Sequence, residues 1–212
     1  MTTLTVAFDA GLPQARWGPL FHVFRLERGD VVLRWHPVDF PVRGHSVLER
    51  ADVAVLVQPP QEAGLAGLAL DAAAMVVVMA TGHPLASHDE LTVADVLNAP
   101  FLGGADLDPE WCAFWTLDAQ RRAPPTRTDD SVENMQQALA VIAAGRAIAT
   151  APAWAASGLP HPGIVALPLT DGPQVTTQLV WREGDDNPAV DALVSLATAW
   201  TGGDRGNGSA PR

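Results

Sequence analysis

Apolar positions divide the first part of the chain into strands and helices. Apolar side chains alternate at Leu4, Val6 and Phe8, which is the period of a strand. A helical period follows over residues 17–24, and alternation returns over residues 31–39. The continuous apolar run at residues 51–57 is typical of a strand buried on both faces. This order of strand, helix, strand, helical turn and strand predicts an α/β lobe with a largely parallel sheet.

A second unit of the same kind follows a strand predicted over residues 72–80. Its clearest helix, "SVENMQQALAVIAAG", has Asp130 or Ser131 as N-cap, and Gly145 is a good C-terminal stop. An earlier helix has Asp108 as N-cap and Pro109 at its first position. The same cap explains the acidic segment "DLDPE" better than a calcium loop does, because the glycine and terminal glutamate of an EF-hand are missing.

Length and composition exclude several classes of protein. The 212 residues suffice for one large domain or two small lobes. The N-terminus lacks the features of a secretory signal, no segment approaches the ~20 apolar residues of a membrane span, and the single Cys112 excludes an internal disulfide framework. We therefore expect a cytoplasmic protein that does not contact a membrane.

Charge and motif content narrow the chemistry. The net charge is −11, all 13 basic residues are arginine, and they form no stripe, so we expect no direct binding of nucleic acid. The motifs G-x-S-x-G, P-loop and G-x-G-x-x-G followed by an acidic residue are missing from the sequence. We therefore expect no enzyme activity and no cofactor.

Four ordered segments carry a resemblance to a known family. "VVVMATGHPLAS", "LTVADVLNAPFL", "SVENMQQALAVIAAGRAIATAP" and "QLVWREGDDNPAVDALVSL" resemble the effector-binding domain of LysR-type transcriptional regulators. The resemblance covers residues 4–200. It implies a two-lobe, type 2 periplasmic-binding-protein fold, each lobe a mostly parallel sheet flanked by helices. It also implies a small-molecule effector and a homodimer.

The resemblance also implies boundaries. Lobe I would comprise residues 1–79 plus 169–200 and lobe II residues 80–168, followed by a disordered tail at 201–212. "GHPLA" would then mark the passage between lobes, so its two histidines and the neighbouring acids need no metal. LysR-type regulators normally carry a winged helix-turn-helix before this domain. Because the first strand begins close to Met1, we expect a free-standing effector-binding protein or a shortened regulator, without a DNA-binding domain.

Ligands of open α/β sheets bind beyond the carboxyl ends of strands and at helix N-termini, and the resemblance implies that these loops face one cleft between the lobes. Each of the residues predicted from this rule could instead be an ordinary turn residue, and that alternative stays open. The predicted ligand-binding residues are Asp9, Ala10, Gly11, Leu12, Gln58, Gly103, Gly104, Ser131 and Thr150.

The sequence leaves alternatives open both for the charge of the ligand and for the function of the protein. The Asp9 carboxylate would repel an anion unless Arg16 or a helix N-terminus offsets it, so organic acids, neutral molecules and amines all remain open. One alternative function is an enzyme on the same fold that pairs Asp9 with Ser131 or Thr150. Another is a protein that does not bind DNA and heterodimerises with full-length regulators.

Overall fold

The computed structural model describes residues 1–38, 44–59, 61–103, 109–128, 132, 134–156, 158 and 161–204. The chain divides into two compact units, which we call unit 1 (Met1–Ala72 with Thr176–Arg212) and unit 2 (Ala73–Val175). The strands are β1 (Thr2–Asp9), β2 (Val31–Val38), β3 (Val53–Val57), β4 (Leu65–Ala73), β5 (Met75–Ala80), β6 (Ala149–Pro152), β7 (Ile164–Pro168) and β8 (Val175–Arg182). The helices are α1 (Gly18–Glu27), α2 (Gly44–Leu48), α3 (Val93–Val96), α4 (Pro109–Trp115), α5 (Met135–Ala143), α6 (Ala153–Ala156) and α7 (Pro188–Asp204).

Unit 1 is built on a five-stranded sheet in the order β2-β1-β3-β8-β4. Strand β1 runs parallel to both β2 and β3, as the sequence predicts, and β8 is antiparallel to β3. Helices α1 and α7 pack against each other in this unit. The largest buried side chains here include Phe21 and Phe24 of α1 and Leu193 of α7. The apolar face predicted over residues 17–24 therefore supplies the unit's core.

Unit 2 contains a three-stranded sheet in the order β6-β5-β7, and its strand directions correct an expectation. A mostly parallel sheet is expected, but β5 is antiparallel to both β6 and β7. Strands β6 and β7 thus run in one direction, on either side of a reversed β5. All six residues of β5 are buried. A continuous apolar run shows that both faces of a strand are covered, but it carries no information about direction.

The predicted strand at residues 72–80 is two strands in two different sheets. Ala72 and Ala73 end β4, Ala74 separates them from β5, and β4 lies at one edge of the unit 1 sheet. The units divide at residues 72–73 and 175–176, whereas the resemblance implies 79–80 and 168–169.

The Gly-His-Pro turn therefore lies inside unit 2 and does not form the passage between units. His83 caps the short 3-10 helix Pro84–Ser87, because its Nδ1 accepts a hydrogen bond from the Leu85 N–H at 3.2 Å.

Helix ends also differ from the pattern. Helix α5 begins after Asn134, whose side-chain oxygen accepts from the Gln137 N–H at 3.0 Å. The predicted caps Asp108, Asp130 and Ser131 lie outside the described residues. Helix α7 continues to Asp204, four residues into the segment expected to be a polar tail.

Candidate functional site

The turn after β1 is fixed by its own hydrogen bonds. The Asp9 side chain accepts from the Gly11 N–H at 2.9 Å, and the Asp9 carbonyl accepts from the Leu12 N–H at 3.0 Å. The Ala10 N–H donates to the Val38 carbonyl at 2.9 Å, which ties the turn to β2. Leu12 is buried. The four predicted residues 9–12 therefore form one ordered turn at the carboxyl end of β1.

Gln58 occupies a strained backbone conformation directly after β3. Its φ is 44°, in the left-handed region that few residues other than glycine adopt. Thr176 bonds both the backbone and the side chain of Gln58. The Gln58 N–H donates to the Thr176 carbonyl at 2.7 Å. Gln58 Oε1 in turn accepts from the Thr176 N–H at 3.0 Å and from its hydroxyl at 3.2 Å. Strain kept in place by such contacts is concentrated at functional sites.

The sheet register brings these two features to one edge. Strands β1 and β3 are parallel neighbours, and Phe8 is paired with Val55. The turn at 9–12 follows the carboxyl end of β1 and Gln58 follows that of β3, so both lie at the same edge of the sheet. We call this set, residues 9–12 with Gln58, the unit 1 edge.

Unit 2 holds Gly103 where its backbone passes very close to a neighbouring segment. The Gly103 N–H donates to the Thr128 hydroxyl at 3.4 Å. A Cβ at this position would lie 2.3 Å from the Thr128 carbonyl oxygen. Only glycine permits this approach, so close packing explains the residue without a ligand.

Thr150 is connected to the same region through partly buried hydrogen bonds. Its hydroxyl donates to the Trp115 carbonyl at 2.5 Å, and the adjacent Thr116 hydroxyl accepts from Arg127 Nη2 at 3.0 Å. Arg127 Cβ lies 3.4 Å from the Cβ position that Gly103 lacks. We call this set, Gly103, Trp115, Thr116, Arg127 and Thr150, the unit 2 network.

Arg121 is a central cation of this region that the sequence did not single out. Its Nε donates to the Thr116 carbonyl at 2.8 Å, its Nη1 donates to the Leu97 carbonyl, and its guanidinium lies 4.7 Å from the centre of the Phe101 ring. Burial lowers the pKa of Arg121. The only feature of the sequence that could have pointed to Arg121 is the pair of arginines at 121–122 in a strongly acidic chain.

Unit 2 also contains donors without acceptors. Trp115 Nε1 and Arg121 Nη2 are buried and have no hydrogen-bond partner among the described residues. A buried donor left unpaired is costly.

Three residues considered in the sequence analysis remain: Arg16, Gly104 and Ser131. Arg16, considered as an offset to Asp9, forms an ion pair with Asp71. Gly104 and Ser131 lie outside the described residues. Within the described part of the chain, no cluster of three His, Cys, Asp or Glu side chains could hold a metal ion. No helix there combines the length and apolarity that crossing a bilayer requires.

Three solved structures of similar fold are effector-binding or regulatory domains. The BenM effector binding domain with its effector benzoate has a TM-score of 0.70 at 16% identity, covering 99% of this chain and 96% of that one. The effector binding domain of QuiR in complex with shikimate has a TM-score of 0.70 at 18% identity, covering 93% and 96%. The regulatory domain of MetR, a LysR family regulator from N. meningitidis, has a TM-score of 0.60 at 21% identity, covering 96% of each chain.

These likenesses confirm the predicted fold class, the two-sheet, periplasmic-binding-protein-like architecture. A comparison with curated protein sequences gives no match. The family model described as the LysR substrate binding domain matches residues 1–202, which is nearly the whole chain. Because the family model matches to this extent, the chain belongs to the LysR substrate-binding domain family.

Proposed function

We propose that this protein binds a small-molecule effector between unit 1 and unit 2, and that closure of the two units on the ligand is the signal it passes to transcription. The observation that carries the proposal is Gln58. Its strained backbone is kept by three hydrogen bonds to Thr176, beside an ordered turn at the same carboxyl edge of the sheet. In open α/β sheets, ligands bind beyond the carboxyl ends of the strands.

The charges of the two units favour a ligand with two different ends. The unit 1 edge presents the Asp9 carboxylate, whereas the region of the unit 2 network contains the guanidinium groups of Arg121 and Arg127, of which Arg127 is already paired with Asp118. We propose that acceptor oxygens of the ligand meet unit 2 and that its hydroxyl or amine donors meet Asp9. Benzoate, the effector of BenM, and shikimate, bound to QuiR, both carry a carboxylate, which supplies acceptor oxygens.

We further propose a homodimer in the cytoplasm, as suits a regulator of transcription. Support comes from edge strand β2, where Val32 and Trp35 are 39% and 43% exposed. A paired copy would cover these apolar side chains. Heterodimerisation with a full-length regulator would use the same surface and is the second candidate.

The experiment is a thermal-shift panel of benzoate, shikimate, benzylamine and neutral sugars. A ligand at ~100 times its Kd stabilises a protein by ~2.7 kcal/mol, which raises the Tm by several degrees. We expect a selective shift that Thr150→Val reduces, since the hydroxyl that orders the unit 2 network is lost. Thr198→Val is the matched control, because the Thr198 hydroxyl bonds only within α7. A flat response to every class of compound would favour the partner-binding alternative.

A further inference from the structure

The side-chain amide of Gln58 can take only one orientation. Gln58 Oε1 accepts from the Thr176 N–H at 3.0 Å and from the Thr176 hydroxyl at 3.2 Å. Because a backbone N–H can only donate, the amide oxygen must face it, and the amide cannot be turned over to present its nitrogen instead. Gln178 Nε2 donates to the Thr176 hydroxyl at 3.1 Å, which leaves the proton of that hydroxyl for Gln58. A chain of three side chains therefore fixes which end of the Gln58 amide points away from Thr176.

The end that points away is the NH₂ group, and it is a free donor. Gln58 Nε2 has no hydrogen-bond partner among the residues that the structure describes. In that part of the chain every buried, unpaired side-chain donor belongs to an arginine or a tryptophan, so the NH₂ group of the half-buried Gln58 is not enclosed and reaches solvent. A glutamine at a surface normally samples many rotamers. This one is already ordered, so a ligand that accepts from it costs little further side-chain entropy.

The charges around this donor disfavour an anionic acceptor. Neighbouring strands of a sheet lie ~4.8 Å apart, so one small molecule can contact both the end of β3 and the turn after β1, which contains the Asp9 carboxylate. Arg16, the nearest arginine to that turn in the sequence, is paired with Asp71. The whole chain carries a net charge of −11. A carboxylate placed at Gln58 would therefore be repelled, whereas an uncharged oxygen would not.

We propose that Gln58 determines specificity by donating a hydrogen bond from Nε2 to an uncharged oxygen of the effector, either a hydroxyl or a carbonyl. The inference rests on the proposed function and narrows it: the effector is an acid whose carboxylate meets unit 2 and whose opposite end carries the uncharged oxygen. An effector that offers unit 1 only a protonated amine is excluded, because an ammonium group has no acceptor. A hydroxyl can accept from Gln58 and donate to Asp9 at the same time.

The test compares three acids that share one ring and one carboxylate. The Kd values of cyclohexanecarboxylate, 4-hydroxycyclohexanecarboxylate and 4-oxocyclohexanecarboxylate are measured by isothermal titration calorimetry. At least one oxygenated acid is expected to bind about fivefold or more tightly than the parent acid, and the two arms distinguish a hydroxyl from a carbonyl. The proposal is overturned if neither oxygenated acid binds, or if neither binds more tightly than the parent. A selective thermal shift by another compound would in that case leave the proposed function standing.

The variant Gln58→Glu assigns the preference to the amide nitrogen. Glutamate keeps an oxygen for both bonds from Thr176, but it replaces the outward NH₂ group with an oxygen that cannot donate. A carbonyl cannot bond to this oxygen, and a hydroxyl can do so only by giving up Asp9.

The added charge of Gln58→Glu weakens the binding of all three acids, so the readout is the ratio of the Kd of the parent acid to that of the oxygenated acid. This ratio is expected to fall below about twofold. Gln61→Glu is the matched control, because it adds the same charge at an exposed position of unit 1 and is expected to keep the ratio. A ratio that Gln58→Glu leaves at the wild-type value overturns the proposal.

Discussion

Gln58 shows how one residue links backbone strain to the proposed function. Its φ of 44° is a conformation in which a Cβ is unfavourable, and its side chain is nevertheless used to hold Thr176. A glycine would relieve the strain but would lose the acceptor for Thr176.

We predict that Gln58→Gly is more stable than Gln58→Ala, which reverses the usual order of stability for glycine and alanine. Both remove the side-chain acceptor, but only alanine keeps a Cβ in the left-handed region. The free energy of unfolding of Gln58→Ala is expected to be about 1 kcal/mol lower than that of Gln58→Gly. Urea denaturation measures the difference. The usual order, with glycine the less stable, would show that the residue is not held at positive φ.

Gly103 provides a second test at the residue scale. A Cβ there would lie 2.3 Å from the Thr128 carbonyl oxygen, so Gly103→Ala must displace backbone. We expect a loss of about 2 kcal/mol or more in the free energy of unfolding. Gly82→Ala is the control, since a Cβ at Gly82 has no neighbour within 4 Å. Equal stability of the two variants would refute the close packing of residues 103 and 128.

The first elements of unit 1, β1 and α1, were predictable because their signals are local, whereas most of β4 was not predicted. The strand and helix periods of β1 and α1 are visible within a few residues, and their faces are buried as expected. The reversed direction of β5, the break at Ala74 and the role of Arg121 were not predictable. Each depends on contacts that a local pattern does not show. The direction of β5 is set by its pairing with β6 and β7, and the break at Ala74 arises because the strands before and after it belong to different sheets. The position of Arg121 depends on its hydrogen bonds to the Leu97 and Thr116 carbonyls.

The positions of some candidate residues relative to the strands were also predictable, whereas their role in binding stays a prediction. The sequence placed residues 9–12 and Gln58 after strand ends, where the structure has them, but Thr150 lies inside β6 and does not end it. It could not show that Thr176 holds Gln58, a contact 118 residues apart. It also could not identify Trp115 as a donor, because nothing in a local pattern shows whether an indole N–H finds an acceptor.

Helix α3 carries a pH-dependent cap. Asp95 accepts from the Thr92 hydroxyl at 2.7 Å and from the Thr92 N–H at 2.8 Å, and these bonds hold the pKa of Asp95 below its ordinary value of 3.8. Because the folded pKa is lower than the unfolded one, the carboxylate stabilises the fold above the unfolded pKa. This stabilisation is lost as the pH falls through the folded pKa.

We therefore predict a pH-dependent effect of Asp95→Asn. The Tm of wild type is expected to exceed that of the variant by a constant amount above about pH 5. The gap is expected to shrink as the pH falls below 3.8. Calorimetric scans of both proteins from neutral to acidic pH measure it. A gap that does not change with pH would show that the carboxylate does not form the cap in solution.

At the scale of the whole molecule, we predict that the dimer depends on β2. Val32 lies on the edge strand and is 39% exposed, so Val32→Arg places a charge in the proposed contact without disturbing the buried core. Wild type is expected to show twice the mass of the variant in light scattering coupled to size exclusion. Leu26→Arg on α1 is the control, because Leu26 is exposed but belongs to a different element. A wild-type monomer would contradict the homodimer.

The central claim is that one ligand contacts both units. The most direct test is the Kd, by isothermal titration calorimetry, of the compound that gives the largest selective shift in the panel. Asp9→Asn in unit 1 keeps the oxygen that accepts from Gly11 but removes the charge, and Thr150→Val alters unit 2. The account predicts that each variant changes the Kd by about fivefold or more. The exposed substitution Asp30→Asn is expected to leave the Kd unchanged. A Kd that is unaffected by either of the two site variants would contradict binding between the units.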